Sequence, residues 1–215
     1  MYVPGAFRLD DPRRIAEVMR AFDFALLVTA PGGRAQASHL PFLYDPDAGP
    51  HGTLHAHMAR ANPQWRDFVA LAEAGQEALV IFQGPHSYIS PTWYGEGTPN
   101  VPTWNYVAVH AYGLPQVIED AGETRALLDR LVAIQESGLE PAWSTAGLTD
   151  KYMEGMLRGL VAFEIPVARL EAKAKLSQNK ARAQFAAATA VVETAKDPLA
   201  RATGQWMRRA LEEQP

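Results

Sequence analysis

Apolar residues recur at helical spacing in several parts of this chain of 215 residues. Ile15, Val18, Met19 and Phe22 fall on one side of a predicted helix over 11–22, which Asp10 or Asp11 can cap. Pro12 suits the first position of that helix. The same spacing predicts helices over 61–74, 119–138, 150–157 and, with an interruption at Asp197-Pro198, over 178–211.

Alternating or continuous apolar runs predict strands over 25–30, 34–44, 53–58, 77–83 and 160–175, with at least one more inside 101–118. Several strands follow one another through turns, and strands and helices do not alternate regularly. The pattern therefore predicts an α+β protein built on an antiparallel barrel or sandwich with peripheral helices. No repeat or linker divides the chain, so we expect a single domain over 1–215 with a helical extension over 178–215.

Composition and charge exclude several classes of protein. Hydrophobic residues make up 47% of the chain and charged residues 20%, which excludes a disordered protein. The absence of cysteine excludes a disulfide scaffold, a thiolate metal site and a cysteine nucleophile. A net charge of −4 disfavours nonspecific binding of nucleic acids. No targeting segment or membrane helix is evident, so we expect a cytoplasmic protein without a membrane partner.

Segment 78–118 contains seven aromatic residues and five prolines but only one charged residue, Glu96. This composition is typical of a rigid apolar wall that binds a flat heterocycle. Any one of these aromatic residues can equally belong to the core. For the runs 88–94 and 101–106 taken together we favour the binding wall, with Tyr88, Trp104, Asn105 and Tyr106 as its candidates.

A second candidate site lies where a predicted strand meets a predicted helix. His55 and His57 fall on one face of the strand, and Arg60 and Asn62 follow where the helix begins. Free N–H groups, the helix dipole and a guanidinium together favour an anion, and a phosphate monoester suits them. The alternatives are a surface ion pair for Arg60 and core positions for the histidines. A third ligand for the histidine pair is not evident, so we expect no metal site.

The third candidate is the polar turn after the last strand. Lys173 and Lys175 fall on one face of the strand end, and Ser177, Gln178 and Asn179 follow. Lys175 can add a second phosphate-binding charge, and Gln178 can donate to the edge of a heterocycle. The alternative is that Ser177 or Asn179 caps the next helix. No dinucleotide motif, P-loop or Ser–His–Asp set is present, so no catalytic residue can be named.

Several motifs occur in a fixed order and together resemble those of the PaiB-type family, called FMN-binding negative transcriptional regulators. They are Met1-Tyr2-Val3-Pro4, Ser38-His39-Leu40-Pro41-Phe42, the runs 57–65, 82–94 and 101–106, Val109-His110 and Lys175-Leu176-Ser177-Gln178-Asn179. The resemblance extends from residue 1 to about residue 190. It implies the FMN-binding split barrel, shared with pyridoxamine-phosphate oxidases, flavin reductases and haem-utilisation proteins.

The resemblance also implies a cofactor, a partner and site residues. FMN is the implied cofactor, and the implied partner is a second copy of the chain, with the flavin at the subunit interface. Arg60 matches the helix-start position that holds phosphate in the oxidase relatives, while Ser38 and His39 occupy the strand position. The strand from Trp104 resembles the one that lines the flavin, and Ser177-Gln178 resembles the polar pair at the ring edge.

Three functions remain open at this point. The first is a flavin-dependent regulator linked to redox state or to a metabolite, and the second is an FMN-dependent oxidoreductase acting on a small molecule. The third is a haem-binding protein with His39, His57 or His110 as axial ligand. We do not expect tight, autonomous binding of DNA, because the chain is acidic and no recognition helix is evident.

Overall fold

The computed structural model describes residues 1–96 and 99–214, which group into two compact units. Unit 1 comprises Met1–Phe22, Phe82–His110 and Glu171–Pro215. Unit 2 comprises Asp23–Ile81 and Ala111–Leu170. The single domain expected over 1–215 stays a prediction, and Pro215 at the end of the predicted extension lies outside the described residues.

Eight strands form one sheet in the order β2-β1-β5-β6-β8-β4-β3, with β7 paired to β8. The pairs β1–β2, β1–β5, β3–β4, β4–β8 and β7–β8 are all antiparallel. The strands are β1 Phe24–Thr29, β2 Gln36–Pro41, β3 Leu43–Asp45, β4 Thr53–Ala59, β5 Ala78–Ile89, β6 Thr103–Gly113, β7 Gln116–Val117 and β8 Leu160–Lys175.

Six α-helices accompany the sheet in the described residues: α1 Pro12–Ala21, α2 Asp67–Ala74, α3 Ala121–Gln135, α4 Asp150–Arg158, α5 Arg182–Glu193 and α6 Pro198–Glu212. Helix α1 begins as predicted, because Asp11 accepts a hydrogen bond from the backbone N–H of Arg13. The predicted antiparallel α+β class is confirmed. None of the helices in residues 1–96 and 99–214 has the length and apolar composition needed to cross a bilayer.

Two strand predictions need correction. The strand predicted over 34–44 is divided, since β2 pairs with β1 as far as Pro41 and β3 then pairs with β4 from Leu43. Between them, the N–H of Phe42 donates to the carbonyl of Asp23 at 2.8 Å. The strand predicted over 77–83 continues to Ile89. At Gly84 an added Cβ would lie 2.9 Å from the Val107 carbonyl oxygen, so glycine permits this strand to pass close to its neighbour.

The core of unit 2 contains a cluster of phenylalanine rings. The Phe163 ring centroid lies 5.0 Å from that of Phe68 and 6.3 Å from that of Phe42. A smaller cluster joins α3 to the strands through Leu43, Leu127, Leu131 and Ala162. Buried apolar area of this kind is the main source of stability in a domain.

Helices α5 and α6 contribute part of the core of unit 1. Phe185 of α5 and Met207 of α6 are fully buried. The two helices approach closely at Gly204, where an added Cβ would lie 2.6 Å from the backbone nitrogen of Glu193. Helix α5 begins after Ala181, which provides no side-chain cap. The prediction that Ser177 or Asn179 caps this helix is therefore wrong, because the turn after β8 extends several residues further.

Candidate functional site

An exposed aromatic patch in unit 1 consists of His86, Tyr88, Trp93 and Trp104. The ring centroid of Tyr88 lies 6.1 Å from that of Trp104 and 6.3 Å from that of Trp93, both edge to face. The ring centroid of His86 lies 6.3 Å from that of Trp104. Tyr88 is 42% exposed and Trp104 55% exposed, so these rings are not core residues. Two of the four predicted wall residues, Tyr88 and Trp104, therefore lie together in the patch, and their contact with a heterocycle stays a prediction.

Unit 1 also contains a cavity of about 120 Å³. Strand β6 contributes to both features, with Thr103 and Asn105 lining the cavity and Trp104 belonging to the patch. Its described lining residues are Tyr94, Val101, Thr103, Asn105, Lys175, Ser177, Asn179 and Lys180. The Nζ atom of Lys175 donates to the Thr103 hydroxyl at 2.5 Å and to the Trp104 carbonyl at 2.6 Å. Burial, followed by the positive charges of Lys173 and Lys180, lowers the pKa of Lys175.

Ser177 lies at the base of this cavity in a left-handed backbone conformation, with φ +74°. This conformation is uncommon for a residue with a side chain. The Ser177 hydroxyl lies 2.8 Å from the hydroxyl of Tyr94 and accepts a hydrogen bond from Asn105 Nδ2 at 2.9 Å. All three side chains are buried. The structure thus brings together Asn105, a candidate of the predicted wall, and Ser177 and Lys175, candidates of the predicted polar turn.

Gln178 and Tyr106 have other partners in unit 1. The Gln178 amide donates to the carbonyl of Ala174 at 2.6 Å and accepts from the N–H of Leu176 at 2.7 Å. This arrangement fixes the end of β8, and the predicted contact of Gln178 with a heterocycle stays a prediction. Tyr106 is half-buried, with Nζ of Lys173 5.1 Å from its ring centroid. It therefore lies beside a cation rather than in the aromatic patch.

Arg60 of unit 2 has a structural role in the described residues. Its Nε donates to the carbonyl of Arg158 at 3.0 Å, and its Nη2 donates to the carbonyl of Leu160 at 2.9 Å. These bonds tie the end of β4 to the junction between α4 and β8. The surface ion pair considered from the sequence is absent among the described residues. The Nη1 atom has no hydrogen-bond partner there, and the predicted phosphate contact stays a prediction.

Ser38, His39 and Asn62 also lie in unit 2. The Asn62 side chain donates to the Ser38 hydroxyl at 2.9 Å and accepts from the N–H of Gln64 at 3.0 Å, which caps the 3₁₀ helix Pro63–Arg66. The structure therefore brings together Ser38 and Asn62, which the sequence had indicated separately. The ring of His39 stacks on that of Phe24, with the two ring centroids 6.0 Å apart, and both side chains are exposed.

Three histidines carry lowered pKa values because burial disfavours their charged forms. For His55 the carboxylate of Glu164, 3.7 Å from Nδ1, partly opposes that effect. The Nδ1 atom of His57 is buried and has no hydrogen-bond partner among the described residues. The described residues contain no group of three or more His, Cys, Asp or Glu side chains that could hold a metal ion.

Three lining residues of the cavity, Lys180, Thr103 and Tyr94, were not among the candidates predicted from the sequence. One signal was available for Lys180. Segment 172–192 contains four cations and no Asp or Glu, so Lys180 lies far in sequence from any carboxylate. Thr103 and Tyr94 carried no such signal, because their position depends on contacts with the turn after β8.

Comparison with known proteins adds the family context. Residues 1–169 match the family described as "Putative FMN-binding domain". The chain is 34% identical over 215 residues to "Protease synthase and sporulation protein PAI 2" of Bacillus subtilis (strain 168), and the match covers 100% of both chains.

Two solved flavoproteins share the fold. One is an FAD and haem binding protein from Mycobacterium smegmatis, with a TM-score of 0.56, 17% identity and coverage of 78% of this chain and 73% of that one. The other is a flavocytochrome from Azotobacter vinelandii, with a TM-score of 0.54, 14% identity and coverage of 76% and 67%. At these identities the likeness concerns the fold alone, and it confirms the predicted split barrel.

Proposed function

The chain belongs to the FMN-binding family whose pattern it matches over residues 1–169, and from this membership we propose that it is a flavoprotein regulator in which the aromatic patch of unit 1 holds the flavin ring. The PAI 2 relative is named for protease synthesis and sporulation. We propose a regulatory role of that kind for this chain, linked to the redox state of the flavin or to a metabolite.

The observation that carries this proposal is the exposed face formed by Tyr88 and Trp104. Large aromatic side chains exposed side by side are unusual on a protein surface unless they bind something. Their flat faces suit a flat heterocycle, since aromatic rings gain from offset or edge-to-face packing. The Lys175 ammonium, which donates to the Trp104 carbonyl at 2.6 Å, adds positive charge for an anionic cofactor. The residues present therefore fit FMN.

Bound FMN supplies hydride and one-electron transfer. The side chains around the patch bind and orient: Tyr88 and Trp104 provide stacking area, and Lys175 fixes the backbone of Trp104 through its carbonyl. None of the described groups in the patch is a carboxylate, so the side chains there that can exchange a proton are the imidazole of His86 and the phenol of Tyr88.

A matched pair of tryptophan variants tests the proposal. Trp104 is 55% exposed and Trp143, in unit 2, is 50% exposed, so replacing either one changes the core little. Titration of FMN into the protein should quench flavin fluorescence. We expect Trp104→Ala to weaken binding about tenfold, since base–aromatic stacking contributes roughly 1–3 kcal/mol. Trp143→Ala should bind FMN like the wild type. Equal effects of the two variants, or FMN binding unchanged in Trp104→Ala, would contradict the proposal.

The absorption spectrum of the purified protein separates two of the functions left open. Flavin and haem have distinct visible bands, and haem would use an imidazole as ligand. We expect a flavin spectrum after incubation with FMN. After incubation with haemin and removal of the free haemin by gel filtration, we expect no Soret band in the protein fraction. A Soret band that disappears in a His39, His57 or His110 variant would replace this proposal with a haem-binding function.

We further propose that the functional form is a homodimer. Val101, three residues before Trp104 in the sequence, is 74% exposed, so unit 1 exposes apolar surface beyond the patch itself. A second copy of the chain would cover such surface. Sedimentation velocity at micromolar protein should give a dimer. A monomer at that concentration that still binds FMN normally would contradict the homodimer but not the proposed flavin site.

A further inference from the structure

The cavity of unit 1 has an unusual distribution of charge. Two of its described lining residues are lysines, Lys175 and Lys180, and the others are neutral. No Asp or Glu in the described residues forms an ion pair with either lysine. Two ammonium groups that share a cavity without a counter-ion repel each other, and the nearby Lys173 adds to that repulsion. An anion in the cavity would relieve it.

The two ammonium groups retain capacity for such an anion. Lys175 uses two of its three N–H donors, on the Thr103 hydroxyl and the Trp104 carbonyl. The Nζ atom of Lys180 lies 5.4 Å from the ring centroid of Tyr94 and has no acceptor among the described residues. Both lysines are only partly exposed, so an anion bound between them would be less screened than on an open surface.

We propose that this cavity is a binding site for a small oxyanion of the phosphate type, held by Lys175 and Lys180. The volume supports a small group: about 120 Å³ is well below the roughly 300–1,000 Å³ of pockets that enclose a drug-sized ligand. The oxyanion is either a free ion or the phosphate group of a larger ligand.

A buried hydrogen-bond network forms the base of the cavity. Tyr94 and Asn105 are each hydrogen-bonded to Ser177, and Asn105 also donates to the sulfur of Met207 at 3.4 Å. This network holds the left-handed turn at Ser177, and the turn determines where Asn179 and Lys180 lie. A site with a fixed base loses less entropy when it binds a ligand.

Titration calorimetry with inorganic phosphate at constant ionic strength tests the site, and it does not require FMN. We expect saturable binding of one phosphate per chain. Lys180→Gln should weaken it about tenfold or more, because a charge-assisted hydrogen bond is lost. The matched control is Lys151→Gln, which removes an exposed lysine from α4 in unit 2. Lys175→Gln is a second variant of the site, with its folding checked by circular dichroism.

The same variants distinguish the two sources of the oxyanion. If it is the phosphate of FMN, Lys180→Gln weakens FMN binding but not riboflavin binding, and inorganic phosphate competes with FMN. If it belongs to a separate ligand, phosphate binds the FMN-loaded protein as well as the free protein. Phosphate binding that is absent in the wild type, or equal in Lys180→Gln and Lys151→Gln, would overturn the inference. Neither result would bear on the stacking of flavin at Trp104.

Discussion

The hydroxyl groups of Tyr94 and Ser177 lie 2.8 Å apart although 83 residues separate them in the sequence. Ser177 adopts φ +74°, a conformation in which a Cβ atom is unfavourable. The buried hydroxyl of Tyr94 and the buried amide of Asn105 both have Ser177 as partner. These long-range contacts therefore offset the local strain of the turn that carries Lys180.

Two substitutions at Ser177 separate the hydrogen bonds from the strain. Ser177→Ala loses the hydroxyl and keeps the Cβ, and we expect the free energy of unfolding to fall by about 1–3 kcal/mol. Ser177→Gly loses the same hydroxyl but adopts the left-handed conformation freely, so it should be less destabilised than the alanine variant, by about 1 kcal/mol. Urea denaturation measures both. A glycine variant no more stable than the alanine variant would show that strain at this turn contributes nothing.

Arg60→Ala is expected to have two measurable effects. The first is a loss of about 1–3 kcal/mol in the free energy of unfolding, because two hydrogen bonds from the guanidinium to the carbonyls of Arg158 and Leu160 disappear. The second follows from the predicted phosphate contact: FMN affinity should fall about tenfold while riboflavin affinity changes little. Arg34→Ala, at an exposed arginine of the same unit, is the control. Equal weakening of both ligands would place the phosphate elsewhere.

Protonation of His57 should make stability depend on pH. Burial lowers the pKa of His57 in the folded protein below its ordinary value of about 6.5. Below pH 6.5 the unfolded chain therefore binds more protons at this position, so the free energy of unfolding falls as the pH drops from about 6.5 toward the folded-state pKa. Burial lowers the pKa values of His55 and His110 too, so they add to the same trend.

The variant His57→Gln tests this prediction through a slope rather than through absolute stability. Between pH 7.5 and pH 5.5, its urea midpoint should fall less than that of the wild type. The exposed His51 provides the control, and His51→Gln should keep the wild-type slope. If the change of urea midpoint with pH in His57→Gln equals that of the wild type, the pKa of this imidazole does not differ between the folded and unfolded states.

Local sequence signals were sufficient for much of the fold. Helix α1 has a capping residue, a proline at its start and one apolar stripe, and β8 has the predicted bounds Leu160–Lys175. They were insufficient where a long-range contact decides the structure. A Gly-Pro pair such as Gly84-Pro85 usually ends a strand, yet β5 continues through it because the glycine fits against Val107.

The candidate site shows the same division. The exposure of Tyr88 and Trp104 was predicted from composition, because a dense run of polar-tipped aromatic residues does not fit a core. The cavity was not predicted, since Lys180 approaches Tyr94 only through the left-handed turn at Ser177. The placement of a non-glycine residue in that conformation depends on partners that are distant in sequence, and no local pattern indicates it.

Tight, autonomous binding of DNA is not expected, and the C-terminal helices show the reason. A sequence-specific binder needs several free cations for phosphate contacts. The arginines of α5 and α6 already have partners in unit 1: Arg182 with the carbonyls of Leu211 and Gln214, Arg201 with those of Ala195 and Lys196, Arg208 with Glu193, and Arg209 with Glu17. These contacts reduce the number of free cations available for phosphate contacts, in a chain whose net charge is already −4.

Mobility-shift titration with genomic fragments at near-physiological salt, with and without FMN, should show no specific shift at nanomolar protein. A specific shift that is lost in Arg201→Ala, but retained in the control Arg34→Ala, would instead assign α6 as a DNA-binding surface.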